Sequence, residues 1–209
     1  MRLILATRNP GKVAEMDDRL RRLGVRPVSA AEVDGAPEVD EDRDTLRGNA
    51  EKKALALHRH TGEPALADDT GLEVDALGGA PGVHSARFAG PHADPAANRQ
   101  RLLREMEPHD DRRARFRTVL AYADEAGVHH FDGVCEGSIT REPRGEGGFG
   151  YDALFVPDDG DGRTFAEMTA EEKDALSHRG RALGAFAAWL AARQGPVAGD
   201  AAPEASGEA

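Results

Sequence analysis

The stretch Arg2-Leu3-Ile4-Leu5-Ala6-Thr7-Arg8-Asn9-Pro10-Gly11-Lys12 decides the fold class. Arg2 to Ala6 reads as a buried strand, and Val13 to Leu23 carries Val13, Met16, Leu20 and Leu23 at helical spacing before the stop at Gly24. A strand that passes through a tight loop into a helix is the unit from which α/β proteins are built. Working outward, Val25 to Ser29 is a second strand, and Ala31 to Arg43 is acidic and proline-bearing, hence a loop. A helix follows from about Thr45 to His60, with Leu46, Ala50, Ala54 and Leu57 as its apolar stripe and Gly62 at its end. Asp94-Pro95 joins a capping acceptor to proline at the first helical position, opening a helix that runs to about Glu107. Ala114 to Ala123 alternates as a long strand, a turn at 123–127 leads to a return strand from Val128, and Ala153 to Val156 is a short strand. Thr169 with Glu172 has capping-box spacing, and Ser177 can cap a last helix striped by Leu183, Phe186, Ala187 and Leu190. The expected fold is α/β, a mixed sheet flanked by helices.

Composition narrows the function. A chain of 209 residues with 39% apolar residues supports one domain, at most two lobes on a shared core. Residues 1–193 are expected to form it, with 194–209 a disordered tail lacking large apolar residues after Val197. A formal charge of -11 argues against a nucleic-acid polymer as partner but leaves a small polyphosphate open, since that needs only local cations. The single cysteine, Cys135, rules out an internal disulfide and a multi-cysteine zinc site and suits a reducing cytoplasm. No apolar run approaches the roughly 20 residues of a membrane span, and the opening residues read as a core strand instead of a signal peptide.

Several clusters carry chemistry. Ala65-Leu66-Ala67-Asp68-Asp69-Thr70-Gly71-Leu72-Glu73-Val74-Asp75 places adjacent carboxylates and a hydroxyl where an apolar strand is expected to end in a glycine turn, the customary place for a site in an open α/β sheet. Two neighbouring acids repel unless a cation or proton relieves them, and Mg²⁺ favours one or two carboxylates plus substrate phosphates. The plain alternative is an acidic turn with Gly71 in a left-handed conformation. Thr7, Arg8, Asn9, Pro10, Gly11 and Lys12 lie between strand and helix, where free N–H groups and the helix dipole bind anions. An ordinary turn is the alternative, and the loop is not a Walker A sequence, since Val13 stands where Ser or Thr would hold magnesium. Gly145, Gly147 and Gly150 spell a dinucleotide fingerprint, yet a strand follows them, so they are not one. That loop ends in Phe149, Gly150, Tyr151 and Asp152, where a flat ring could stack beside an accepting carboxylate; core aromatics on a hairpin loop explain it equally well. Asn49 and Lys53 share a helix face, with Glu41 upstream, and Lys173, Ser177, His178 and Arg179 gather at the last helix start. His129 and His130 in a strand face opposite ways and cannot chelate one metal.

In order, these blocks resemble the inosine triphosphate pyrophosphatase family. The matching residues are Leu5 to Lys12, Asn49-Ala50 with Lys53, Ala67 to Leu72, Gly78 to Phe88, Gly147 to Asp152, and Glu172-Lys173 through Ser177-His178-Arg179-Gly180. The resemblance implies an elongated mixed sheet in two lobes with the cleft between them, a homodimer, and Mg²⁺-dependent hydrolysis of a purine nucleoside triphosphate to monophosphate and pyrophosphate. It implies that Thr7 to Lys12 and Lys53 hold the phosphates and that Asp69 is the general base. Asp69, Glu41 and Asp68 would serve the metal, and Thr70 would touch substrate. Phe149, Gly150, Tyr151, Asp152, Lys173, His178 and Arg179 would line the base and sugar pocket. Leu46, Gly48 and Ala153 depart from the usual Phe, Glu and Pro; Gly48 inside a helix would cost about 1 kcal/mol relative to Ala. A Maf-like nucleotide pyrophosphatase shares the layout but should lack the Ser-His-Arg and Gly-Phe-Gly-Tyr-Asp blocks, and a non-catalytic nucleotide sensor would not need the intact acid pair.

Overall fold

The computed structural model describes residues 1–92 and 94–194; the expected tail from 195 onward lies outside the described residues. The chain starts as expected: β1 (Arg2–Leu5) leads into α1 (Pro10–Arg22), and β2 (Arg26–Ser29) pairs parallel with β1. Proline at the first helical position and Asn9 at the cap start α1, and Met16 and Leu20 bury its inner face. The acidic loop carries one 3-10 turn, Ala30–Glu32, before α2 (Leu46–Thr61), which Thr45 caps and Gly62 ends in a left-handed conformation.

The backbone of the molecule is β3 (Ala65–Val74), which runs unbroken through Asp68, Asp69, Thr70 and Gly71. The expected turn at Gly71 is therefore corrected. Gly71 is extended, and glycine is needed there because a Cβ would stand 2.6 Å from the carbonyl of Gly82 on the short crossing strand β4 (Pro81–Gly82). The acids sit mid-strand, paired with Leu120 and Val119 of β5 (Arg113–Asp124). Strand order is β2-β1-β3-β5-β6-β7, with β6 (Gly127–Ile139) antiparallel to β5 and the short β7 (Phe155–Pro157) at the edge. The expected strand from Ala153 begins only at Phe155, because Asp152–Leu154 form a 3-10 turn.

Helix α3 (Pro95–Met106) packs under the distal half of the sheet, α4 (Ala170–Leu176) has the expected Thr169–Glu172 capping box, and α5 (His178–Gln194) crosses β5 and β6. The mixed sheet is thus flanked by helices and divides into two lobes. One side of the β1 end buries Leu5, Leu66 and Phe186, while its other side buries Ala50, Ala54 and Leu57 of α2. The distal lobe has its own core around Leu72, Phe116, Phe155 and Phe165. Asp68 to Thr70 lie where the lobes meet, and a cleft of about 470 Å³ opens there.

Candidate active site

Successive side chains of a strand point to opposite faces, so Asp68 and Asp69 do not share a site. Asp68 turns toward α1 and α5. Its carboxylate lies 3.1 Å from Lys12 Nζ and 3.1 Å from Arg179 Nη2, and it is fully buried. Burial alone would raise its pKa, but Lys12, Arg179 and Lys53 overwhelm that and hold it far below the ordinary carboxylate range. Asp69 turns toward α2, where Lys53 Nζ donates at 2.9 Å and Asn49 Nδ2 at 3.3 Å. Here burial prevails over Lys53, with Glu41 adding repulsion, and the carboxyl is pushed up. The two acids anchor two different constellations.

On the α2 face, Glu41 Oε1 accepts from the same Lys53 ammonium at 2.8 Å, and Arg87 from the distal lobe donates to the Glu41 carbonyl at 2.9 Å. Burial would raise Glu41, but Lys53, Lys12 and Arg87 bring it below its usual value. Among the described residues no three His, Cys, Asp or Glu side chains gather into a ready-made metal cage. The donor set of Glu41 and Asp69 nevertheless suits Mg²⁺. Both are hard oxygen ligands already converging on one cation, the Lys53 ammonium, and Mg²⁺ takes its remaining ligands from water and substrate phosphates.

On the other face lies a dense ionic lattice. Lys173 Nζ donates at 2.6 Å to Asp152 and at 2.6 Å to Glu15, while Arg179 pairs with Glu15 and Asp68 and donates at 3.0 Å to Thr70 Oγ1. Burial raises Asp152 above its usual value despite Lys173. Lys173 lies 4.8 Å above the Phe149 ring, which itself rests on Gly11, where a Cβ would stand 2.7 Å from the ring. His178 stacks on Phe116 at 4.5 Å, and its Nδ1 is buried with no hydrogen-bond partner among the described residues. Burial first, then Arg179 and Lys173, push this imidazole far down, so it is neutral. Tyr151 donates to the Ser85 carbonyl at 2.9 Å, fixing the glycine loop to the distal lobe.

Asn9, Lys12, Glu41, Asp69, Thr70, Phe149, Gly150, Tyr151, Asp152, Lys173, His178 and Arg179 line the one cleft. Thr7, Arg8 and Lys53 instead line an adjoining groove of about 310 Å³ beneath the acidic loop, and Arg8 holds that loop through Glu38 and the Ala36 carbonyl at 2.9 Å each. The expected free N–H groups at the start of α1 are also engaged. Asn9 Oδ1 accepts from Gly11 N at 2.9 Å and Lys12 N at 3.4 Å, and Pro10 has none to give. What that loop offers the cleft is the Lys12 ammonium and the Asn9 amide. Glu15 was not foreseen, although it stands three residues after Lys12 and beside buried Met16 on the helix face that turns inward. Gly48 proves to lie in the first turn of α2, its N–H accepted by Thr45 Oγ1 at 3.0 Å, so the mid-helix penalty does not apply.

This geometry agrees with what comparison with known proteins finds. The Ham1 family profile matches residues 3–189. The chain belongs to the Ham1 family. A dITP/XTP pyrophosphatase of Desulforamulus reducens is 55% identical over 187 residues, covering 88% of this chain and 92% of its own. That of Syntrophobacter fumaroxidans is 50% identical over 184 residues, covering 87% and 78% respectively. Among solved structures, a HAM1 protein from Coxiella burnetii superposes with a TM-score of 0.83 at 42% identity, over 91% of this chain and 98% of that one. The nucleoside-triphosphatase / dITP/XTP pyrophosphatase of Mycobacterium abscessus gives 0.72 at 46% identity, over 89% and 98%. The Ham1 likeness thus spans both lobes and every constellation described above. No helix among the described residues is long and apolar enough to cross a membrane.

Proposed function

We propose that this chain hydrolyses non-standard purine nucleoside triphosphates (dITP, ITP and XTP) to the monophosphate and pyrophosphate. The observation that carries the reading is the single cleft with a raised-pKa carboxyl, Asp69, beside Lys53 and Glu41 at one end, and a neutral buried His178 among aromatic rings at the other. Asp69 orients a water and takes its proton as the water oxygen bonds to phosphorus and the α–β phosphoanhydride bond breaks, separating monophosphate from pyrophosphate. Lys12 and Lys53 take up the charge that develops on the departing group. Glu41 and Asp69 would hold Mg²⁺, which when bound neutralises phosphate oxygens. Asp68 we read as structural to this chemistry: it keeps Lys12 and Arg179 in place.

Base recognition falls to the far end. A 6-oxo purine presents an acceptor where adenine presents a donor, so a donor there discriminates between them. Arg179 already makes four hydrogen bonds to Asp68, Glu15 and Thr70, whereas neither ring nitrogen of His178 has a partner among the described residues, and of the two only Nδ1 is enclosed, leaving Nε2 for the cleft. His178 is therefore the donor, and Arg179 the clamp that fixes the wall behind it. By the family resemblance we take the working form to be a homodimer in the cytoplasm, which light scattering of the purified protein checks for assembly. The deciding assay is pyrophosphate release with Mg²⁺ from dITP, ITP, XTP, ATP and GTP. Preferential release from the first three is expected, and equal rates on ATP would sink the assignment.

A further inference from the structure

Strand β6 passes beneath the first turn of α5 with no side chain between them. A Cβ on Gly133 would stand 2.0 Å from the carbonyl oxygen of His178, 2.6 Å from Ala182 N and 3.0 Å from Ala182 Cβ. The φ of Gly133 is not positive, so conformation does not demand glycine there. Only space does. Gly133 pairs with Thr118, and Thr118 pairs with Thr70, whose hydroxyl bonds Thr118 Oγ1 at 2.5 Å and accepts from Arg179 at 3.0 Å. Cross-strand partners share a sheet face. The row Gly133, Thr118, Thr70 is therefore the surface on which the turn carrying His178 and Arg179 beds.

We infer that Gly133 is a positioning residue for base selection: by allowing backbone contact between β6 and α5, it sets the depth at which His178 and Arg179 enter the cleft. The inference rests on the proposed ITP-type activity. An added methyl must move the α5 turn by about 1 Å to reach the 3.0 Å that real Cβ contacts keep. A shift of that size at a recognition group costs up to about 10²-fold in kcat/KM. Gly137, two pleat repeats further along β6 on the same face, supplies the control. Its Cβ would lie 2.2 Å from the Val156 carbonyl and 2.6 Å from Cζ of Phe155, an equally tight approach, but to strand β7 and its core ring and not to the α5 backbone.

The test compares full-length Gly133→Ala and Gly137→Ala with the native chain. Both should lower Tm. Only Gly133→Ala should reduce the ITP-to-ATP ratio of kcat/KM, by about tenfold or more, chiefly through a higher KM for ITP. An unchanged ratio in Gly133→Ala, or an equal fall in Gly137→Ala, would overturn the inference. Should Gly133→Ala not yield folded protein, Ala182→Val presses on the same contact from the helix side and is read against the same outcomes. If the native chain shows no preference for ITP over ATP, the proposed activity fails. A native preference that survives intact in Gly133→Ala overturns only the role of Gly133.

Discussion

Asp68 and Asp69 are neighbours in sequence and opposites in environment. The first is enclosed by Lys12 and Arg179 and held ionised; the second has one close ammonium, which it shares with Glu41, and burial pushes its carboxyl up. A strand's alternation produces that divergence with no loop or special backbone. What it teaches is that charge in this cleft is partitioned by sheet face. One face holds Lys12, Lys173 and Arg179 against Asp68, Asp152 and Glu15, three cations among three carboxylates, with Asp68 Oδ1 left without a hydrogen-bond partner among the described residues. The other face converges two acids on one lysine, and there a divalent cation and a proton acceptor are useful. Carboxyls whose pKa values are driven apart mark division of labour.

Exchanging amides for the two acids tests this most strongly. Asp69→Asn should lower kcat on ITP by roughly 10²- to 10⁴-fold while Tm stays near native. Asp68→Asn should instead destabilise the fold by about 3–5 kcal/mol, because it strands buried cations, and calorimetry would read it as a fall in Tm. If the two variants exchanged these phenotypes, the partition by face would be wrong.

The pH dependence sharpens the same contrast. Asp68 is depressed below the ordinary 3.8, so its contribution to stability is fully present above that pH and is lost as pH falls through the folded value. Asp69 is raised, so its ionised form costs stability above its folded pKa, and acid relieves that cost. The proposed general base acts only in the ionised form. The acid limb of kcat/KM should therefore lie above 3.8, and Lys53→Met, which removes the largest opposing influence, should move it further up. A limb that stays put in Lys53→Met would show that another group titrates.

The helices and the order of the chemical blocks were legible in the sequence because caps, glycine stops and apolar stripes are local signals; α2 and α3 fall within a residue or two of their expected bounds. What misled was Gly71. Read locally, a glycine after two acids is a turn, but the reason for it is a carbonyl eleven residues away on β4. Misplacing that turn put both acids at a strand end and hid their opposite faces. The pairing of Arg8 with the acidic loop and the entry of Glu15 into the cleft wall were not legible for a related reason. Which cation faces the cleft and which meets a loop depends on how α1 rotates against α4 and α5, and no spacing within 7–15 encodes it.

His178 offers a narrower test on the recognition side. Replacing it with Phe keeps the stack on Phe116 and removes the ring nitrogens, so the ITP-to-ATP ratio of kcat/KM should fall by about tenfold, the worth of one buried hydrogen bond. The loss should be independent of Mg²⁺ concentration, because the carboxylates proposed to hold the metal, Glu41 and Asp69, lie on the other face. A ratio that recovered as Mg²⁺ was raised would couple the two faces and blur the division.

Gly11→Ala has the smallest expected effect. Gly11 is in the first turn of α1, where helix preference counts for little, and its φ is not positive, so alanine strains no backbone. The added Cβ would stand 2.7 Å from Cδ1 of Phe149, and overpacking costs about 1–3 kcal/mol where nothing can give. Here something can: Phe149 is only half-buried, on the 145–150 glycine loop. The ring should therefore move and Tm should hardly change, but the ring leaves its place 4.8 Å from Lys173 at the base end of the cleft. A loss of about 1 kcal/mol in nucleotide binding, roughly fivefold in KM for ITP, is the expected outcome. The Asp69 face proposed for hydrolysis is untouched, so kcat at saturation should hold. A fall in kcat with KM unchanged would mean that Phe149 acts on the phosphate end after all.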